Sequence, residues 1–176
     1  MFELSNLQKI ASTKMSGTLI EALNDQLNYE FYSSHVYLAM ASYCESKDYN
    51  GFAKFFMKHA EEERAHGMKI YKYLQDRGER PMITGFESPN NDFESLLDAC
   101  QQALEHEKLI TSRFYNLSDI ADSEKEYTTI SFLEWFLHEQ VEEESLFETV
   151  IQKLQRIKDD EGAIFLYDMH INHDEA

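Results

Sequence analysis

Two short motifs in this sequence carry side chains that bind hard metal ions: Glu63-x-x-His66 and Gln140-x-x-Glu143. Residues three apart share one face of a helix, so both members of a pair can grip one ion. Two further acids stand at matching distances, Glu30 lying 33 positions before Glu63 and Glu107 lying 33 before Gln140. The set Glu30, Glu63, His66 thus recurs 77 positions later as Glu107, Gln140, Glu143. Such a diverged repeat describes two helical hairpins that present the same constellation to a shared centre. Glutamate oxygens with one imidazole suit iron or manganese, whereas soft copper and structural zinc favour sulfur or more histidine. The four carboxylates of Glu30, Glu63, Glu107 and Glu143 carry −4 when ionised, which matches two divalent cations at +4.

These residues need long helices to hold them, and apolar residues recur at three- and four-residue steps in four segments. The first spans 16–44, with Leu19, Leu23, Leu27, Ser34, Tyr37 and Ala41 near one face. The second spans 49–78 and shows Phe52, Phe56, His59, Ile70 and Leu74 before Gly78. The third, 91–121, opens at Asn91 with Glu94 three residues on, a capping-box pattern, and carries Phe93, Leu96, Cys100, Ala103, Phe114 and Ala121. Ser123 with Glu126 repeats that pattern and opens the fourth, 123–157, with Leu133, Phe136, Phe147, Ile151 and Leu154. A short apolar tail, 162–172, predicts a fifth helix.

Connection lengths fix the topology. Helices one and two, and helices three and four, are joined by a few residues each and should be antiparallel neighbours. Between the pairs lies the segment 79–90, which holds both prolines, Pro81 and Pro89. A helix of about 28 residues is ~42 Å long, and twelve extended residues reach ~40 Å. The segment can therefore run back along the bundle and make helices two and three parallel. The predicted fold is all-α, a four-helix bundle with one long crossover and a short C-terminal helix, in a single domain over 1–176 with an extension at 1–14.

In that frame the acids fall where core residues belong. Glu30 interrupts the first stripe, Glu63 and His66 the second, Glu107 the third, and Gln140 with Glu143 the fourth. A solvated face is the ordinary reading of any one of them. In-phase placement on four helices, with equal spacing in both halves, argues against it for the set. Unpaired carboxylates in an apolar interior are costly, so a positive partner must sit among them.

Bulk properties agree. The chain has 176 residues, 43% of them hydrophobic, enough for one full core. Its net charge of −17 repels nucleic acid and anionic membranes and attracts cations. Cys44 and Cys100 form no CxxC pair and no disulfide framework, which suits a reducing cytoplasm. Met1–Ser12 lacks a signal-peptide core, and no segment approaches a membrane span, so a cytoplasmic protein is expected.

Four segments also resemble a known family, the non-haem ferritins of bacterial type. They are Asn28-Tyr-Glu-Phe-Tyr-Ser-Ser34, His59-Ala-Glu-Glu-Glu-Arg-Ala-His66, His106-Glu-Lys-Leu-Ile-Thr111 and Phe132-Leu-Glu-Trp-Phe-Leu-His-Glu-Gln-Val-Glu-Glu-Glu144. The resemblance runs from about Leu23 to the tail. It implies one iron site on Glu30, Glu63 and His66, and a second on Glu63 as bridge with Glu107 and Glu143, Gln140 being close by. Tyr37 matches the family's tyrosine beside the site, an electron donor there, and Trp135 has a similar standing. Glu62, Glu139 and Glu142 match a third iron site of the bacterial type. The implied activity is oxidation of ferrous iron by dioxygen or peroxide, with ferric mineral stored inside a shell of 24 subunits.

Related families fit less well. Bacterioferritins repeat Glu-x-x-His in both halves and place a haem-binding methionine after the bridging acid. Here Arg64 follows Glu63 and the second half reads Gln140-x-x-Glu143, so no haem is expected. The small DNA-protecting ferritins place their ligands between subunits, and rubrerythrins add a CxxC iron module; this chain shows neither. A di-iron oxygenase acting on an organic substrate would usually carry two Glu-x-x-His motifs on a longer chain.

Overall fold

The computed structural model describes residues 14–171, and among them five helices form. They are α1 (Gly17–Ser46), α2 (Asn50–Asp76), α3 (Leu96–Ser123), α4 (Tyr127–Ile157) and α5 (Glu161–His170). Residues 1–13 and 172–176 lie outside the described range, and with them most of the N-terminal extension and the last residue expected in the tail helix. Among the described residues no helix is long and apolar enough to cross a membrane.

Local chemistry sets the helix ends. Ser16 caps α1, its hydroxyl accepting from the Leu19 N–H at 3.1 Å. Helices α1, α2 and α3 then stop in the same way. A residue in the left-handed region (Asp48, φ 63°; Gly78, φ 78°; Lys125, φ 56°) is followed by an N–H that reaches back five residues. Those bonds are Tyr49 N to Cys44 O at 2.9 Å, Glu79 N to Leu74 O at 2.9 Å, and Glu126 N to Ala121 O at 2.8 Å. This is the Schellman closure, which only Gly78 enters without steric cost.

Two expected helix starts are corrected. α3 begins at Leu96, not Asn91, because Ser95 rather than Asn91 supplies the cap and accepts from the Asp98 N–H at 3.0 Å. The Asn91 amide instead donates to Pro89 O at 2.9 Å, and the Glu94 N–H donates to the Asp98 carboxylate at 3.0 Å. The fourth helix begins at Tyr127, not Ser123, since Ser123 still belongs to α3 and donates to Ile120 O at 2.8 Å. Glu126 cannot serve a capping box there. Arg77 claims it through two parallel bonds of 3.1 Å, a fork that holds the Glu126 carboxyl below its ordinary range. At the tail, Asp160 caps α5 from one residue earlier than expected, accepting from the Ala163 N–H at 3.0 Å.

Cross-helix contacts fix the directions. Ser34 of α1 donates to Ala60 O of α2 at 2.7 Å, and further down His66 of α2 comes 3.9 Å from Glu30, so α1 and α2 are antiparallel. Ser33 meets His106 at 2.8 Å while Ser16 meets Glu124 at 2.5 Å, so α1 and α3 are antiparallel too. α2 and α3 are then parallel, and the crossover must span the bundle. Asn24 and Asn28 hold it down. Asn24 Oδ1 accepts from Met82 N at 2.6 Å, and Asn28 accepts from Thr84 N at 2.8 Å and donates to Met82 O at 2.7 Å.

α5 packs across α2 and α4. Its Asp168 carboxylate accepts from Gly51 N at 3.1 Å and Phe52 N at 2.9 Å, capping the start of α2 from outside. A Cβ on Gly51 would fall 1.6 Å from the Asp168 carbonyl oxygen, so the approach requires glycine.

The interior divides in two. One apolar cluster takes Tyr37, Met40, Cys44, Phe52, Phe55, Phe56, Cys100 and Phe147. The other takes Leu19, Leu23, Leu27, Ile70, Leu74, Ile110, Phe114, Leu133 and Phe136. Between them, at the middle of every long helix, the buried side chains turn polar: Glu30, Glu63, His66, Glu107 and Gln140.

Candidate metal centre

Each of the four long helices sends a polar side chain into this belt, and the two apolar clusters seal it above and below. Glu30 is fully buried on α1, Glu63 and His66 nearly so on α2. His66 Nδ1 lies 3.9 Å from Glu30 Oε2 and 3.7 Å from Glu63 Oε2. One ligand atom from each of the three falls within 4.8 Å of the others, a grouping that could hold one ion. Neither Glu30 Oε2 nor Glu63 Oε2 meets a hydrogen-bond donor, although both are buried. Acceptors of that kind are costly unless a cation or proton satisfies them.

Glu107 enters from α3. Its Oε1 accepts from the Tyr37 hydroxyl and its Oε2 from Gln140 Nε2 at 2.9 Å. Gln140 is also within 3.4 Å of Thr111 Oγ1, which donates to Glu144 at 2.5 Å. The structure thus joins Tyr37, Glu107 and Gln140 directly. Glu143 stands near enough to act electrostatically on Glu63 and Tyr37, and it also meets His59: His59 Nδ1 lies 3.4 Å from Glu143 and 3.5 Å from Glu62, and these three form a second possible ligand group. Glu62 is thereby placed beside Glu143. Glu139 is half-buried and Glu142 exposed, and neither joins a ligand group among the described residues.

Burial governs the electrostatics. It pushes the Glu30 carboxyl well above the carboxylate range, and the negative charge of Glu63 adds to this. Glu63 is raised likewise by burial and by Glu107. Glu107 is raised to about 7 by burial, with the Tyr37 and Gln140 hydrogen bonds pulling the other way. Tyr37 is itself raised by burial and by Glu107, so it stays a protonated donor. Burial lowers His59 to about 3, leaving a neutral imidazole fit to be a ligand. Burial thus favours the protonated form of these acids. A divalent ion held among them would reverse that preference, since a carboxyl must be ionised to act as a ligand.

Sequence reasoning misses three participants. His59 falls in the apolar stripe, yet it lies seven residues, two helical turns, before His66 on the same face. Gln26, buried to 1% exposure, donates to Glu30 Oε1 at 2.5 Å from four residues upstream. Its spacing from Glu30 is the available signal. Thr111 gives no signal beyond its place in the third quoted motif.

Known proteins resemble this chain along most of its length. The family model described as the ferritin-like domain matches residues 20–157. A bacterial non-haem ferritin of Staphylococcus aureus (strain USA300) is 52% identical over 157 residues, 89% of this chain and 95% of that protein. One from Staphylococcus saprophyticus is 50% identical over 153 residues, 87% of this chain and 92% of that protein. Among solved structures, the open-pore ferritin of the hyperthermophilic archaeon Archaeoglobus fulgidus superposes with a TM-score of 0.88 at 36% identity, covering 90% of this chain and 96% of that one. A bundle with one crossover, a carboxylate–imidazole belt at mid-height and likenesses of this extent have one explanation: the chain belongs to the bacterial non-haem ferritins.

Proposed function

We propose that the belt is a two-iron ferroxidase centre within the subunit. As a ferritin the protein stores iron and oxidises it from the ferrous state. In our reading the first ferrous ion is held by Glu30, Glu63 and His66. The second takes Glu63 as a shared bridge with Glu107 and Glu143, and Gln140 braces Glu107 from the side. Each ferrous ion gives up one electron, so a pair supplies two to dioxygen or peroxide, the oxidant accepting protons from the site. Tyr37 donates to Glu107 and packs against Phe56 and Phe147; we read it as the source of a further electron, its proton passing to Glu107, which with one from a third ferrous ion completes the four that take dioxygen to water. A third ion would rest on Glu62, Glu139 and Glu142 toward the cavity. Of these Glu62 already stands in a ligand group, with His59 and Glu143. The ferric product collects inside a 24-subunit shell in the cytoplasm.

The observation that carries this reading is the buried triad of Glu30, Glu63 and His66, with one donor-free oxygen on each acid. The test is Glu63→Ala followed by stopped-flow oxidation of ferrous iron in the assembled protein. Loss of the shared bridge should slow the fast phase by orders of magnitude, while the shell still forms. An unchanged fast phase would end the two-iron reading, and failure of the metal-free variant to fold would make Glu63 a structural residue.

A further inference from the structure

The triad leaves a question of aim: what decides which oxygen of Glu30 faces the ion. Glu30 Oε1 accepts from Gln26 Nε2 at 2.5 Å, while Glu30 Oε2 faces His66 and has no donor. An amide side chain can rotate to offer either its NH2 or its carbonyl, so the selection must come from what holds Gln26. That group is Arg113 of α3. Its Nε–H donates to Gln26 Oε1 at 2.8 Å. With the carbonyl so engaged, the NH2 must point to Glu30, since the flipped amide would set an N–H against the guanidinium and an oxygen against a carboxylate.

Arg113 is itself fixed on two further sides. Nη2 donates to Asp25 at 2.6 Å, and the guanidinium carbon lies 3.9 Å from the centre of the Tyr29 ring. Asp25, Gln26, Tyr29 and Glu30 occupy successive turns of α1, so one arginine from α3 locks the ligand-bearing stretch of the helix. We propose that Gln26, locked by Arg113, is a positioning residue that leaves Glu30 Oε2 as the oxygen offered to the first ferrous ion. Partners of this kind, one bond removed from a metal ligand, commonly change affinity by about 10- to 100-fold.

This inference rests on the assignment of Glu30 to the first iron site. The test uses the full-length metal-free protein titrated without oxygen with cobalt(II) alone, whose visible absorption reports ligand binding. Gln26→Met keeps the bulk and removes the donor; Arg113→Ala frees the amide to flip. Each should weaken the Glu30-dependent binding step about tenfold or more, and the double variant should be no weaker than either single one. In ferrous oxidation the KM should rise by a similar factor, with kcat at saturating iron within about twofold of the parent, a split that loss of stability would not produce. Affinity within about twofold of the parent in both single variants, or losses that multiply in the double one, would overturn the proposal. Glu30→Ala separates the two failures. If it abolishes the step while Gln26→Met does not, only the positioning role falls; if it leaves the step intact, the site assignment falls with it.

Discussion

Ferrous iron entering the metal-free protein must drive protons out, and Glu107 sets how the number changes with pH. At pH 7 Glu107, raised to about 7, is half protonated, while burial shifts Glu30 and Glu63 toward their protonated forms. Ligation removes the protons these carboxyls hold because a metal-bound carboxylate must be ionised, and Glu107 contributes about half a proton per subunit at pH 7. The Glu107 share depends on pH through the neutral range, being ~0.9 proton at pH 6 and ~0.1 at pH 8. Release from Glu107 should therefore fall by about 0.8 proton across that range. Calorimetric titration with ferrous iron under argon, repeated in buffers of different ionisation enthalpy, reads the number from the slope of heat against buffer enthalpy. The apparent affinity should rise with pH near 7 by about threefold per unit or more. Release of under about half a proton per subunit at pH 7 would show that the empty site is already ionised, and would refute burial as the force that keeps these acids protonated.

Two further outcomes follow from the same geometry. Raised carboxyls stabilise the metal-free fold below their unfolded value and lose that contribution as pH climbs through the folded one, about 3 kcal/mol for Glu107 between pH ~4.5 and ~7. Calorimetric melting of the metal-free Glu107→Gln variant should therefore gain on the parent at pH 8 but not at pH 5, whereas the parent's acid side declines below about 6.5 because burial lowers His106 to about 4 and His59 to about 3. Gly67→Ala should destabilise by about 1–3 kcal/mol despite the better helix former, because its Cβ would lie 2.8 Å from the Phe31 ring and 3.3 Å from Glu30 Cβ. Urea unfolding checks it, and a gain in stability would contradict the tight α1–α2 approach.

The all-α bundle was legible because apolar spacing is a local property repeated over four long segments. Glu30, Glu63 and His66 stood out because acids broke that spacing at equal intervals, and the structure gathers these three into one ligand group. What escaped depends on partners far away in sequence. Ser123 and Glu126 have the pattern of a helix start, but Arg77, 49 residues earlier, takes Glu126. His59 is indistinguishable from a core histidine until Glu143 is brought beside it. Gln26 gains its meaning from Arg113, 87 residues on. A pattern can report period and residue type; it is blind to which of several acceptors wins a given donor.

The cap that Asp168 places on α2 has a consequence for how the subunit comes together. A ten-residue helix is too short to persist alone in water, and Asp168 is the only residue buried within α5. The tail therefore has no independent reason to fold until the start of α2 exists to receive its carboxylate. The dependence also runs backwards, since the Gly51 and Phe52 amides lose their acceptor whenever the tail lifts. From Phe52 to Glu63 is about 16 Å of continuous helix, three turns that separate the tail's cap from the triad of Glu30, Glu63 and His66, whereas His59 lies only two turns from that cap.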